Sequence, residues 1–216
     1  MALHESEREQ VEALQRWWRE NGRSVLLGVV VALALVVGWQ QWRAYQERMA
    51  EGAATAYQTF LAELDSGDLA AAAALLESLR TEHGSSTYPV LASLDMAARR
   101  AEAGELEAAE QDLVWARQQA TTEPLTRLAR LHLARVRLAR DDPGGALSVL
   151  EPVPDGAYGG AFQELRGDAL AASGDASAAV EAYDAALAAA DLPSSWRDVI
   201  RMKRDTLATG TAFPAS

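Results

Sequence analysis

The segment Ser173–Leu187, SGDASAAVEAYDAAL, has three relatives earlier in the chain: Ser66–Leu79 reads SGDLAAAAALLESL, Ala103–Ala116 reads AGELEAAEQDLVWA, and Arg140–Val153 reads RDDPGGALSVLEPV. Each copy opens with a turn signal and an acid, followed by an alanine that starts an apolar stripe at helical spacing. Glycine in the turn supplies the left-handed backbone that ends one helix, and Asp or Glu near the start of the next offsets its positive dipole end. Aligned on Ala72, Ala109, Ala146 and Ala179, the copies are 37, 37 and 33 residues apart.

A period near 34 with two helices per unit is the tetratricopeptide signature. The last copy carries it most clearly: Gly167 and Leu170 on one helix face Ala179, Tyr183 and Ala186 on the next, with Tyr183 filling the space beside the small residues. Ala97 and Ala134 stand at the Gly167 position in earlier copies, and Phe60 stands there in the first. The pattern predicts an all-α protein: a helix over 24–65, pairs at 68–81 with 88–102 and at 105–120 with 124–140, a short helix at 144–151, and a pair at 161–173 with 176–190. Together they form a right-handed solenoid of helix pairs. A helix from Ser195 to Leu207 caps the stack, with Trp196, Val199, Ile200 and Leu207 as its buried side. Pro152 and Pro154 end the short helix, and Gly156, Gly159 and Gly160 make the following stretch a loop.

Upstream lies a different kind of segment. Ser24–Trp42, SVLLGVVVALALVVGWQQW, contains no charge and is bracketed by Arg23 and Arg43. At about 1.5 Å per residue it reaches roughly 28 Å, the hydrocarbon thickness of a bilayer. Trp17 and Trp18 precede it and Trp39 and Trp42 close it, where amphipathic rings sit at the two headgroup layers. Bulky residues at the end of the span argue against signal cleavage. Arg8, Arg16, Arg19 and Arg23 precede the span and Arg43 and Arg48 follow it, so the N-terminus is expected in the cytoplasm.

The resulting organisation is a cytoplasmic amphipathic head at 1–23, a transmembrane helix at 24–42, a periplasmic tetratricopeptide-like domain at 43–209 and a loose tail at 210–216. Tyr45, Met49, Ala53, Ala56, Phe60 and Leu64 continue at helical spacing between span and repeats, with Gly52 the weak point. Within the span, Gly28 with Ala32, and Ala34 with Gly38, are small residues four apart that admit a neighbouring helix. In the head, Val11, Leu14, Trp17 and Trp18 share a side that lies on the bilayer or meets a partner.

Composition narrows the function further. The chain of 216 residues has no cysteine, which removes disulfides and thiolate metal sites, and its net charge of −11 repels nucleic acid. His4, His83 and His132 lack ligand spacing, and no glycine-flanked serine motif appears, so neither an enzyme nor a cofactor or metal site is expected. Arg127, Arg130, Arg135, Arg137 and Arg140 spread around one helix as a solvated face pairing with surplus acids. The first helices of the pairs line the concave side of such a solenoid, which makes Leu91, Leu94 and Ala98, then Leu128, Leu131 and Arg135, then Glu164 and Asp168 groove candidates.

QVEALQRWWRENG from Gln10, the glycine-containing span ending GWQQW at Trp42, AATAYQTF from Ala53, ELRGDALAASGD from Glu164 and MKRDTLA from Met202 together resemble the YfgM-like ancillary subunits of the Sec translocon in Gram-negative inner membranes. The resemblance implies a cytoplasmic N-terminus, a periplasmic repeat domain, association with the SecYEG channel and the membrane-anchored periplasmic chaperone PpiD, and help in passing exported client proteins to periplasmic chaperones. Two other functions compete: a scaffold for another envelope assembly machine, and a stress-signalling regulator acting through the cytoplasmic head.

Overall fold

The computed structural model describes residues 2–189 and 192–209, and among them it contains nine helices and no strand: α1 Ala2–Ser66, α2 Leu69–Glu82, α3 Tyr88–Glu102, α4 Leu106–Gln119, α5 Glu123–Ala139, α6 Pro143–Leu150, α7 Gly159–Ala172, α8 Ala176–Ala188 and α9 Ser194–Ala208. The tail expected at 210–216 lies outside the described residues, as do the side chains of Val11 and Leu14 in the head. The chain divides into two compact units, residues 1–52 and 53–216.

In the second unit the repeat grammar is visible as backbone geometry. Gly67, Gly104 and Gly174 take left-handed φ values of 85°, 81° and 85°. In the third copy Asp141 does the same job at φ 61°, a conformation in which a short polar side chain is tolerated. The acid that follows caps the next helix directly: Asp68, Asp142 and Asp175 accept hydrogen bonds from the backbone N–H groups of Ala71, Gly145 and Ala178. Glu105, one methylene longer, makes no such bond.

The pair expected at 161–173 with 176–190 forms as α7 with α8, and that at 105–120 with 124–140 as α4 with α5. Across the turns α3 packs on α4, α5 on α6 and α7 on α8, and α3 packs more closely on α4 than on α2, which corrects the expected pair of 68–81 with 88–102. In these three cases the left-handed residue reverses the chain within a few residues and leaves the two flanking helices face to face.

Ala72, Ala109, Ala146 and Ala179 are all fully buried. They belong to four successive apolar clusters, each shared between neighbouring helix pairs, as expected of a stack that cannot bury its apolar faces one repeat at a time. At Gly167 of α7 a Cβ would sit 2.5 Å from the Tyr183 ring of α8. Phe60 fills the corresponding place in the first cluster with Leu64, Leu76 and Leu79.

The cap helix differs from expectation in its orientation. Ile200 is fully buried and Leu207 half-buried, but Trp196 and Val199 are 41% and 44% exposed. Polar side chains hold α9 in place instead. Arg197 donates to the carbonyl oxygens of Leu187, Ala189 and Leu192, closing the open end of α8, and Lys203 reaches α7.

Candidate interaction surfaces

The first unit offers an apolar helical surface. Among the described residues one helix is long and apolar enough to cross a membrane, and none of its most apolar window is buried. Leu26, Leu27, Leu33 and Leu35 are each at least 60% exposed. The Trp17 and Trp18 rings lie 6.5 Å apart and those of Trp39 and Trp42 5.4 Å apart, so each end carries an aromatic pair, with Arg23 and Arg43 exposed beside them. A Cβ added at Gly28 or Gly38 would meet nothing within 4 Å, and Ala32 and Ala34 are exposed. At about 100° per residue the Gly28–Ala32 and Ala34–Gly38 pairs point roughly 120° apart, which gives two separate small-residue faces.

In the second unit the groove candidates separate into three groups. Leu94 and Leu131 are buried in the second and third clusters, so they hold the solenoid together and are not presented to a partner. Leu91 and Leu128 are half-buried, and Ala98 is exposed. Glu164 and Asp168 are engaged by the cap: Lys203 Nζ lies 2.7 Å from Glu164 Oε1 and 2.8 Å from Asp168 Oδ2, while the Tyr183 hydroxyl donates to Asp168 Oδ1 at 2.6 Å. Burial works against the Lys203 charge, but the two carboxylates outweigh it and hold its pKa above the ordinary lysine value. Burial and the Asp168 carboxylate both push the Tyr183 phenol upward.

Arg135 falls in none of these groups. It is half-buried and lines a cavity of about 400 Å³ with Tyr158, Ala161, Leu192, Pro193 and Trp196, drawn from α5, α7 and α9 and the segments leading into them. One turn back on α5, His132 is held below the usual histidine pKa by burial and then by the Arg135 charge, against a smaller opposing pull from Asp95. Asp95 itself accepts from the Tyr57 hydroxyl at 2.6 Å, and the Tyr57 and Tyr88 rings lie 5.4 Å apart.

The other α5 arginines do more than pair with acids. Arg127 donates to the carbonyl oxygens of Asp155 and Ala157 as well as to Glu123, and Arg130 to those of Val149 and Pro152 while its guanidinium lies 4.7 Å from the Phe162 ring centre. They fasten the proline- and glycine-rich loop to the solenoid. Arg137 spans Glu110 and the Gly145 carbonyl.

Residues 15–209 match the model of a tetratricopeptide repeat-like domain. The chain is 30% identical to the "Ancillary SecYEG translocon subunit" of Escherichia coli (strain K12), over 96% of this chain and 99% of that protein. The chain belongs to this YfgM-like family. Proteins of the same name are similar in Haemophilus influenzae, 28% identical over 86% of this chain and 91% of theirs, and in Neisseria gonorrhoeae, 24% identical over 96% and 100%. No solved structure matches. The YfgM-like match thus takes in both the apolar helix and the repeats.

One feature of the YfgM-like domain escaped the sequence. Asp112 on α4 is buried and receives Arg80 Nη2 of α2 at 2.7 Å and Arg100 Nη1 of α3 at 2.6 Å. Arg80 also donates to Ser93 Oγ and lies 4.5 Å from the Trp115 ring centre. A signal existed: Asp112 stands three residues after Ala109, on the inward face, where an unpaired carboxylate is too costly to keep. Among the described residues no group of His, Asp and Glu could hold a metal ion.

Proposed function

We propose that the protein is a non-catalytic ancillary subunit of the Sec translocon, held in the inner membrane by the helix over 24–42, with its N-terminus cytoplasmic and its repeat domain in the periplasm. The observation that carries this is the 30% identity to a translocon subunit over nearly the full length of both chains. Two further features support it. The apolar helix is unburied by its own chain, as an anchor must be, and the arginine excess before the span favours a cytoplasmic N-terminus.

On this reading the two parts have different tasks. The small-residue faces at Gly28, Ala32, Ala34 and Gly38 pack against channel helices, since close approach drives association where the hydrophobic effect is absent. The repeat domain binds the membrane-anchored chaperone PpiD and exported clients, passing the clients on to the periplasmic chaperone network. A photo-crosslinking residue placed at Ala32 or Ala34, and separately at Leu128, tests both tasks in living cells. SecYEG subunits should appear from the span positions, and PpiD or exported chains from Leu128. Crosslinks from Leu128 to cytoplasmic proteins, or from the span to outer-membrane assembly factors alone, would overturn the proposal.

A further inference from the structure

The cavity around Arg135 stands apart from the rest of an acidic molecule. Among the described residues its lining holds one cation and no acid, although the chain as a whole carries a net charge of −11. On α5, Arg127, Arg130 and Arg137 are all bonded to carbonyl or carboxylate oxygens, whereas Arg135 makes no hydrogen bond or ion pair among the described residues. Tyr158 and Trp196, the other donor-bearing side chains of the lining, also make none there. They are 37% and 41% exposed. Three hydrogen-bond donors with no acceptor among the described residues, set among Ala161, Leu192 and Pro193, make a site suited to an acceptor and an apolar group together. Arg, Tyr and Trp are also the side chains that dominate binding energy at interfaces.

The place of the cavity in the fold indicates the form of the occupant. Its walls come from α5, α7 and α9 and the segments leading into α7 and α9, so it runs across successive helix pairs of a solenoid, a fold that takes extended ligands along its repeats. In an extended chain, residues i and i+2 point to the same side, so one segment can present a carboxylate and a large apolar side chain together. A carboxylate on the guanidinium gains a charge-assisted, two-pronged hydrogen bond, which an amide of the same shape does not.

We propose that this cavity binds an extended segment of a partner or client protein carrying an Asp or Glu side chain two residues from a large apolar one. The inference deepens the proposed function, resting on its claim that the domain binds other proteins, and names the chemistry recognised.

The test uses the full-length chain in detergent micelles and fluorescein-labelled, C-terminally amidated peptides with an Asp-Ser-Phe core in a Gly/Ser frame, read by anisotropy. The Asp peptide should bind at least tenfold more tightly than its Asn and Phe-to-Ser counterparts. Arg135→Glu should abolish that preference and favour a Lys-Ser-Phe peptide, while Trp196→Ala should weaken the Asp and Lys peptides alike. Equal binding of the Asp and Asn peptides to the unaltered protein would overturn the inference without any variant. So would an Asn peptide with a free C-terminal carboxylate binding as tightly as the Asp peptide, since a chain end would then be the ligand. Loss of the peptide preference with crosslinks from Ala32 to SecYEG intact removes this site alone. The converse removes the translocon reading and keeps the site.

Discussion

The span over 24–42 and the helix pair α7–α8 are both rich in small and apolar residues, yet they use them in opposite ways. In α7–α8 the glycine is filled from within: Tyr183 lies where a Gly167 side chain would go. In the span, Gly28 and Gly38 face open space and the neighbouring leucines are exposed. The same residue type is therefore part of a completed contact in one region and half of a missing contact in the other. A domain that buries its own small residues folds by itself, and a helix that does not needs lipid or another helix.

That contrast breaks if large-to-small changes act alike in the two regions. Phe162 is fully buried beneath Arg130, and Phe162→Ala should cost about 3–5 kcal/mol in lost transfer energy and cavity formation. Leu33→Ala, in the exposed span, should leave thermal unfolding of the repeat domain unchanged. Melting of the full chain in detergent, followed by circular dichroism, separates the two. A similar fall in Tm for both variants would mean that the span contributes to the domain's fold.

The glycines sharpen the comparison with a smaller effect. Gly167→Leu must displace the Tyr183 ring from a closed core, an overpacking cost of about 1–3 kcal/mol. Gly28→Leu and Gly38→Leu meet nothing in their own chain and should leave the domain's melting point where it was. If these two variants also lose their crosslinks to channel subunits, the open faces are contact faces; unchanged crosslinks would leave them lipid-facing.

How much of this was legible in the sequence depends on how local the cause is. Turn chemistry is local, so the glycine turns and the Asp caps follow from short words such as SGD, whereas Gly159 and Gly160, expected in the loop, begin α7. The Gly167–Tyr183 contact was legible because both residues sit at fixed places in one repeat. Asp112 was not, since its partners Arg80 and Arg100 lie 32 and 12 residues away and meet only once three helices stack. The orientation of α9 was hidden for the same reason. An apolar count favours burying Trp196 and Val199, but Arg197 and Lys203 find six oxygens to bond and turn the helix another way. For Leu94 and Leu131, spacing places each on a first helix of a pair, while only the packing of adjacent pairs decides which side of that helix is covered.

The smallest effect is a pH dependence, and it belongs to one region only. Ser24–Trp42 contains no titratable side chain, so a change of stability with pH reports on the rest of the chain. His132 has a folded-state pKa below its ordinary value of 6.5, because burial and Arg135 disfavour the imidazolium more than Asp95 favours it. The unfolded chain therefore takes up that proton first on acidification. Stability from this group is present above pH 6.5 and is lost as pH falls from there through the lower folded value. Tyr183 behaves in the mirror sense: its folded pKa is raised above 10.0, so its contribution is present below that pH and is lost as pH rises. Urea unfolding of the full chain in detergent should give a lower midpoint at pH 5 than at pH 7. His132→Gln should shrink that difference without altering the alkaline limb, and Tyr183→Phe should shrink the loss above pH 10 without altering the acid limb. An acid limb identical in His132→Gln would assign it to the carboxylates instead of His132.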